Sequence, residues 1–303
     1  MKTLYLSDLD GTLLNEGAVI SAYGEEALRR LIESGLHFSI ATARTAGTAL
    51  SILRNIPFRL PIILMNGALI YDTREKVYVK ANIIPTETAA QVLAVLRRHS
   101  ATCLIYALQG NEVLNIHEAD TSVYIREFCE ERIVRYNKAF VTVDRLEEAV
   151  SPLFTRGERD GDRGGMEAAP YKDDEVSEGI VYFTLLDTEE VLRPISEALA
   201  AIPGIAMTMY ADIYQKGLWY LELFSEAASK RSGALYLKEA YGFDTLVGFG
   251  DNVNDLPLFD ACDESYAVDN AVPEAKAKAT GIIASNREDG VPKWLLARCE
   301  GGL

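Results

Sequence analysis

Apolar positions along this chain follow two rhythms. Short apolar runs at Thr3–Ser7, His37–Ala41 and Ile62–Met65 predict buried strands. Between them the apolar residues recur at helical spacing. Ala27, Leu28, Leu31 and Ile32 form one stripe, which predicts a helix over Ala22–Ser34 ended by Gly35, and a second helix is expected over Ala46–Arg54. Strand and helix therefore alternate over residues 2–72, the pattern of a βαβαβ half of a parallel sheet. The alternation resumes from Glu222. A helix over Arg231–Tyr241 precedes strands at Leu246–Phe249, Tyr266–Val268 and Gly281–Ala284.

The stretch between these halves has a different pattern. A helix over Thr86–His99 leads to strand Cys103–Leu108, a Gly110-Asn111 turn and strand Val113–His117, which is a hairpin. Strand Ile180–Leu186, helix Thr188–Ala201 and strand Ile205–Tyr210 follow. Thr155–Gly179, rich in Gly, Asp, Glu and Arg, is expected to be a long exposed loop. The fold class expected is α/β: a Rossmann-like parallel-sheet core, residues 1–82 and 213–303, interrupted by an inserted α+β domain at 83–212.

Composition narrows the function classes. With 303 residues, 49% hydrophobic and 25% charged, the chain is long enough for about two ordinary globular domains. Its 45 acidic and 30 basic residues leave a net charge of −15, which argues against nucleic acid or an anionic membrane as partner. No leader-like segment and no apolar run of about 18 residues is found, so a cytoplasmic location is expected. Four cysteines without CxxC spacing suggest reduced, packed thiols. Three dispersed histidines disfavour a zinc site.

The chemistry gathers where strands end. Strand one runs into Asp8-Leu9-Asp10-Gly11, two carboxylates at i and i+2 that point to one side of extended backbone before a glycine turn. Such a pair can bind a divalent cation, or one acid can be a nucleophile while the other moves protons. In an open parallel sheet, ligands sit at the carboxyl ends of the strands. Those ends also deliver Thr42, Asn66 and Gly250-Asp251 with Asn254 and Asp255. Three acids converging on one edge repel one another unless a cation lies among them, and hard carboxylates without His or Cys favour Mg²⁺. Lys230, at a helix start where the dipole disfavours a cation, is the candidate positive group for an anion.

These residues resemble the haloacid dehalogenase superfamily, in its Cof-type branch of sugar-phosphate phosphatases with a large α/β cap. Asp8-Leu9-Asp10-Gly11-Thr12, Ala41-Thr42-Ala43-Arg44, Asn66-Gly67-Ala68, Lys230, Gly250-Asp251-Asn252-Val253-Asn254-Asp255 and Asn286-Arg287-Glu288-Asp289-Gly290-Val291 each match a family segment. Ala267-Val268-Asp269-Asn270-Ala271 departs from it, since relatives usually have Met-Gly before Asn-Ala. The resemblance implies that Asp8 attacks phosphorus to form an aspartyl-phosphate, while Asp10 serves as general acid and then base. It implies Mg²⁺ on the Asp8 carboxylate, the Asp10 carbonyl and the Asp251 carboxylate, with Thr42, Lys230 and Asn254 on the phosphate. Asp255 would orient waters or Lys230, and Arg44, Asn66 and Gly67 would contact substrate. The implied partner is a small phosphorylated metabolite. A phosphomutase on the same core and cap, or a non-catalytic sugar-phosphate sensor, are the alternatives. A receiver domain does not fit the large insert, and a dehalogenase does not call for the second Asp and the metal set.

Overall fold

The computed structural model describes residues 2–150, 176–212 and 215–300. The expected loop over Thr155–Gly179 lies for the most part outside the described residues. The chain divides into two compact units, Met1–Val79 with Ala228–Leu303, and Lys80–Ala227.

The first unit opens with β1 (Thr3–Ser7), α1 (Ala22–Glu33), β2 (Phe38–Ile40), α2 (Ala46–Ile52), β3 (Ile62–Leu64) and β4 (Leu69–Asp72), and β5 (Val77–Ala81) leads out of it. Ser21 caps α1 by accepting from the Gly24 amide, and Ala27, Leu28, Leu31 and Ile32 are all buried, as their spacing requires. One expectation holds in part: β3 runs parallel beside β2 but is not laddered into the five-stranded sheet. It meets β2's continuation through a single parallel bridge, Ala41 to Ile63, and pairs antiparallel with β4 in a three-stranded sheet that β5 completes.

The second unit contains α3 (Thr86–Arg98), β6 (Leu104–Gln109), β7 (Glu112–Glu118), α4 (Val123–Tyr136), β8 (Val141–Val143), β9 (Gly179–Asp187), α5 (Glu189–Leu199), β10 (Ile205–Ala211) and β11 (Trp219–Ser225). Its sheet has the order β10-β11-β9-β6-β7-β8 and is antiparallel except for the β7–β8 pair. Ile105, Ala107, Phe183, Leu185, Leu221 and Leu223 alternate onto the face that packs with Val92 and Leu96 of α3 and Leu192, Ile195 and Leu199 of α5. Strand β11 was not anticipated from the sequence, and it moves the return to the first unit from residue 213 to Ala228. The ladder decides this: Leu221 pairs with Leu185 on one side and Met209 on the other. Helix α4 was also missed. Its charges lie all round it and only Ile125 and Cys129 are buried, so it carries a weak helical stripe.

The first unit resumes with α6 (Lys230–Tyr241), β12 (Thr245–Gly250), α7 (Leu256–Ala261), β13 (Glu264–Val268), α8 (Pro273–Lys278), β14 (Gly281–Ile283) and α9 (Gly290–Glu300). Its sheet has the order β14-β13-β12-β1-β2, parallel throughout. Leu4, Leu6, Phe38, Ile40, Leu246 and Phe249 are buried in it. Register positions the site: Ser7 lies opposite Phe249, and the Asp8 amide donates to the Phe249 carbonyl at 2.9 Å. Strands β1 and β12 therefore end level, each releasing an aspartate. Among the described residues no helix is long and apolar enough to cross a membrane, and all four cysteines are free thiols.

Candidate active site

The site grows from two strand ends and one helix start, all within the first unit. Asp8 follows β1 and is buried. Asp251 follows β12, and its Oδ1 accepts from the Thr12 hydroxyl at 2.8 Å. Gly11, at φ +77°, turns the chain between them, and a Cβ there would lie 2.4 Å from Asp251 Oδ2. The donor oxygens of Asp8, Asp251 and Asp255 all lie within 4.8 Å of one another.

Lys230 is the fixed cation of this cluster. Ser229 caps α6 in a capping box with Ser232, which sets Lys230 as the first helical residue. Its side chain is fully buried, and Nζ donates to Asp8 Oδ1 at 2.5 Å and to Asp255 Oδ1 at 2.6 Å. The other Asp255 oxygen accepts from the amides of Asp251 at 2.9 Å and Asn252 at 3.0 Å. Asp255 thus ties the lysine to the turn that carries Asp251.

Burial dominates the electrostatics. It pushes the Asp8 carboxyl well above the usual range; Lys230 opposes this, and the Asp255 and Asp251 carboxylates add to it. Burial and then Asp255 raise Asp251 to about 7. Burial draws the Lys230 ammonium down, but Asp255 and Asp8 outweigh it and hold the amine above its ordinary value.

The remaining sequence-predicted residues surround this cluster. Arg44 grips Asp10, donating from Nε to Oδ2 at 2.7 Å and from Nη2 to Oδ1 at 2.6 Å. Thr42 is buried after β2, its amide donating to the Ile63 carbonyl at 3.0 Å and its hydroxyl accepting from the Arg44 amide at 3.2 Å. The Asn254 amide reaches Asn66 Oδ1 at 3.4 Å, and Asn66 sits in left-handed backbone at φ 52°. Gly67 has a packing reason beyond any contact with substrate. At φ +92°, its Cβ would fall 2.1 Å from the Ser229 carbonyl oxygen. Gly67→Ala therefore pushes on the cap of α6. We expect a loss of about 1–3 kcal/mol of stability, seen as a lower melting temperature. An unchanged melting temperature would show that the Gly67–Ser229 approach yields freely.

The sequence pattern does not mark Asn270 as a site residue. Its amide donates to the Gly11 carbonyl at 2.7 Å, and its Oδ1 accepts from the Asn286 amide at 3.0 Å, while Asn286 donates to the Leu14 carbonyl at 2.8 Å. The two asparagines clamp the turn after Asp10. The sequence signal was their place in matched family segments, including the departing loop, where Asn270 itself is kept.

Comparison with known proteins gives the family. The model of the haloacid dehalogenase-like hydrolases matches residues 5–295. A 5-amino-6-(5-phospho-D-ribitylamino)uracil phosphatase of Bacillus subtilis is 25% identical over 294 residues, covering 95% of each chain. A pyridoxal phosphate phosphatase of Escherichia coli is 23% identical, also over 95% of each chain. A solved haloacid dehalogenase-like hydrolase from Bacteroides thetaiotaomicron superposes with a TM-score of 0.72 at 21% identity, covering 97% of this chain and 98% of the other. A subclass IIB sugar phosphatase of the superfamily gives 0.69 at 20% identity, covering 100% and 99%. The chain belongs to the haloacid dehalogenase-like hydrolases. Within that family it is a phosphoric monoester hydrolase.

Proposed function

We propose that the protein hydrolyses small phosphorylated metabolites, sugar phosphates among them, through an aspartyl-phosphate on Asp8 and with Mg²⁺. One observation carries this reading: the buried Lys230 ammonium joins Asp8 and Asp255 beside Asp251. Lys230 binds Oδ1 of Asp8, which leaves Oδ2 to attack. As the Oδ2–P bond forms, the bond from phosphorus to the leaving oxygen breaks, and Asp10 gives that oxygen a proton. Asp10 then takes a proton from the water that splits the acyl phosphate, which returns Asp8. Thr42, Lys230 and Asn254 are the proposed holders of the phosphoryl oxygens.

The donor set fits a hard cation. Carboxylates without nitrogen or sulfur ligands suit Mg²⁺. Asp255 already has Lys230 on one oxygen and two amides on the other. The proposed ligands are those the family resemblance implies, the Asp8 and Asp251 carboxylates and the Asp10 carbonyl, and the occupied oxygens of Asp255 suit it to a place behind them. When bound, the ion offsets the charge between the carboxylates and an anionic phosphate.

The raised Asp251 carboxyl makes the metal response depend on pH. Its ordinary value is 3.8 and its folded value about 7. Between these, the folded protein keeps a proton that the unfolded chain has lost, so this group makes the metal-free protein less stable as pH rises. A cation needs the ionised form. The rise in melting temperature on adding Mg²⁺ should be larger at about pH 8 than at about pH 5. An equal or reversed response would remove Asp251 from the ligand set.

The test of the function is phosphate release from a panel of phosphorylated sugars, pyridoxal phosphate and 5-amino-6-(5-phospho-D-ribitylamino)uracil, with Mg²⁺ and with EDTA. Turnover with Mg²⁺, loss in EDTA and a trapped phosphoryl group on the Asp8 peptide are expected. Full activity after chelation, or label on another residue, overturns the reading. The unit Lys80–Ala227 holds none of the residues given a chemical role, and the choice among substrates is its proposed part.

A further inference from the structure

We propose that Arg44 is the positioning residue for Asp10, fixing the carboxylate that moves the proton rather than holding the substrate. The inference rests on the reading of Asp10 as general acid and base.

The two acids of the first motif are held in different ways. Asp8 is buried, with its amide in the sheet and its carboxylate on Lys230. Asp10 lies past the end of β1, and its side chain is 32% exposed. A carboxylate there is free to rotate unless something grips it. Arg44 grips both oxygens, from Nε and from Nη2. That edge of a guanidinium is rigid and planar, so two parallel N–H bonds set the plane of the carboxylate as well as its place.

Arg44 is itself anchored. Its amide donates to the Thr42 hydroxyl at 3.2 Å, and its carbonyl accepts from the Met65 amide at 3.2 Å. Its side chain is only 14% exposed. The fork thus comes from a backbone pinned to β3, on a different part of the chain from Asp10. The Nε–Nη2 edge, which would take a substrate carboxylate or phosphate bidentately, is already used.

A proton donor matters most when the leaving group is poor. A p-nitrophenolate hardly needs protonation, whereas an alkoxide does. Loss of a positioning residue should therefore depend on the leaving group, and loss of a substrate-holding residue should not. The experiment measures kcat/KM of the full-length protein with Mg²⁺ for p-nitrophenyl phosphate and for glycerol phosphate. In Arg44→Ala the ratio of the first to the second should rise by about 30-fold or more, a part of the 10²–10⁴ that general acid catalysis supplies. Arg44→Lys keeps the charge but loses the fork, and should raise the ratio by a smaller factor in the same direction.

Coupling gives the second readout. On an Asp10→Asn background, Arg44→Ala should move the ratio by less than about 2-fold, because the group it positions is gone. Equal losses for both esters, persisting in the Asp10→Asn background, would overturn the proposal and return Arg44 to the substrate. A crystal structure of the Arg44→Ala variant supplies a readout independent of turnover. Asp10 should take more than one rotamer there, and a single rotamer unchanged from the present one overturns the proposal. Failure of the wild-type protein to cleave either ester counts against the phosphatase reading instead, and the crystallographic arm still decides what Arg44 does to Asp10.

Discussion

Asp8→Asn should lower kcat by roughly 10³ or more, because a neutral amide cannot form the acyl phosphate and the covalent route is lost. The fold should survive. Asparagine has nearly the same shape, and the substitution removes one of three acids whose donor oxygens lie within 4.8 Å of one another. It also removes a carboxyl that burial and its acidic neighbours push upward, while Lys230 keeps its bond to Asp255. The melting temperature should therefore stay near that of the wild type while turnover collapses. The measurement is paired: calorimetry for the fold and steady-state phosphate release for turnover. An Asp8→Asn protein retaining a tenth or more of its activity (a barrier raised by no more than about 1.4 kcal/mol) would exclude Asp8 as nucleophile.

Lys230→Met should damage stability and activity together. The substitution keeps an unbranched side chain of similar length but deletes the ammonium between Asp8 and Asp255. Both of those side chains are almost wholly buried, so water screens their charges poorly. Removing one partner of a buried ion pair leaves the other charge uncompensated, and typically costs about 3–5 kcal/mol. A lower melting temperature should accompany the loss of turnover, and Asp255→Asn added to Lys230→Met should recover part of the stability but not the activity. That recovery separates charge imbalance from simple loss of packing. A Lys230→Met protein as stable as the wild type would mean that the carboxyls take up protons and need no ammonium.

The residues of the candidate site were largely legible in the sequence, though unevenly. Asp8, Asp10, Thr42, Asp251 and Asp255 could be found because strand ends in a parallel sheet converge, and short polar residues after apolar runs mark those ends. Lys230 could be found because a lysine opposes the dipole at a helix start. The destination of its ammonium could not be found that way. Asp8 and Asp255 lie 222 and 25 residues away, and only the β1–β12 register with the cap of α6 brings them to one nitrogen. The Arg44 contact with Asp10 has the same origin, since side chains 34 residues apart meet only after β1, β2 and β3 have settled.

The sequence by itself determined the local elements of the core. Helix α1 follows from Ser21 and a four-residue apolar stripe, and β1 from a run with a buried destination, because propensity, capping and amphipathic spacing act within a few residues. Tertiary structure alone decided which sheet a strand joins. Ile62–Leu64 keeps one parallel bridge to Ala41 but forms its ladder with β4, while Trp219–Ser225 joins the second unit's sheet between β9 and β10. Alternation records that one face of a strand will be buried, not against what. The partner is chosen by hydrogen-bond registers between residues far apart in the chain, and a single sequence carries little trace of them.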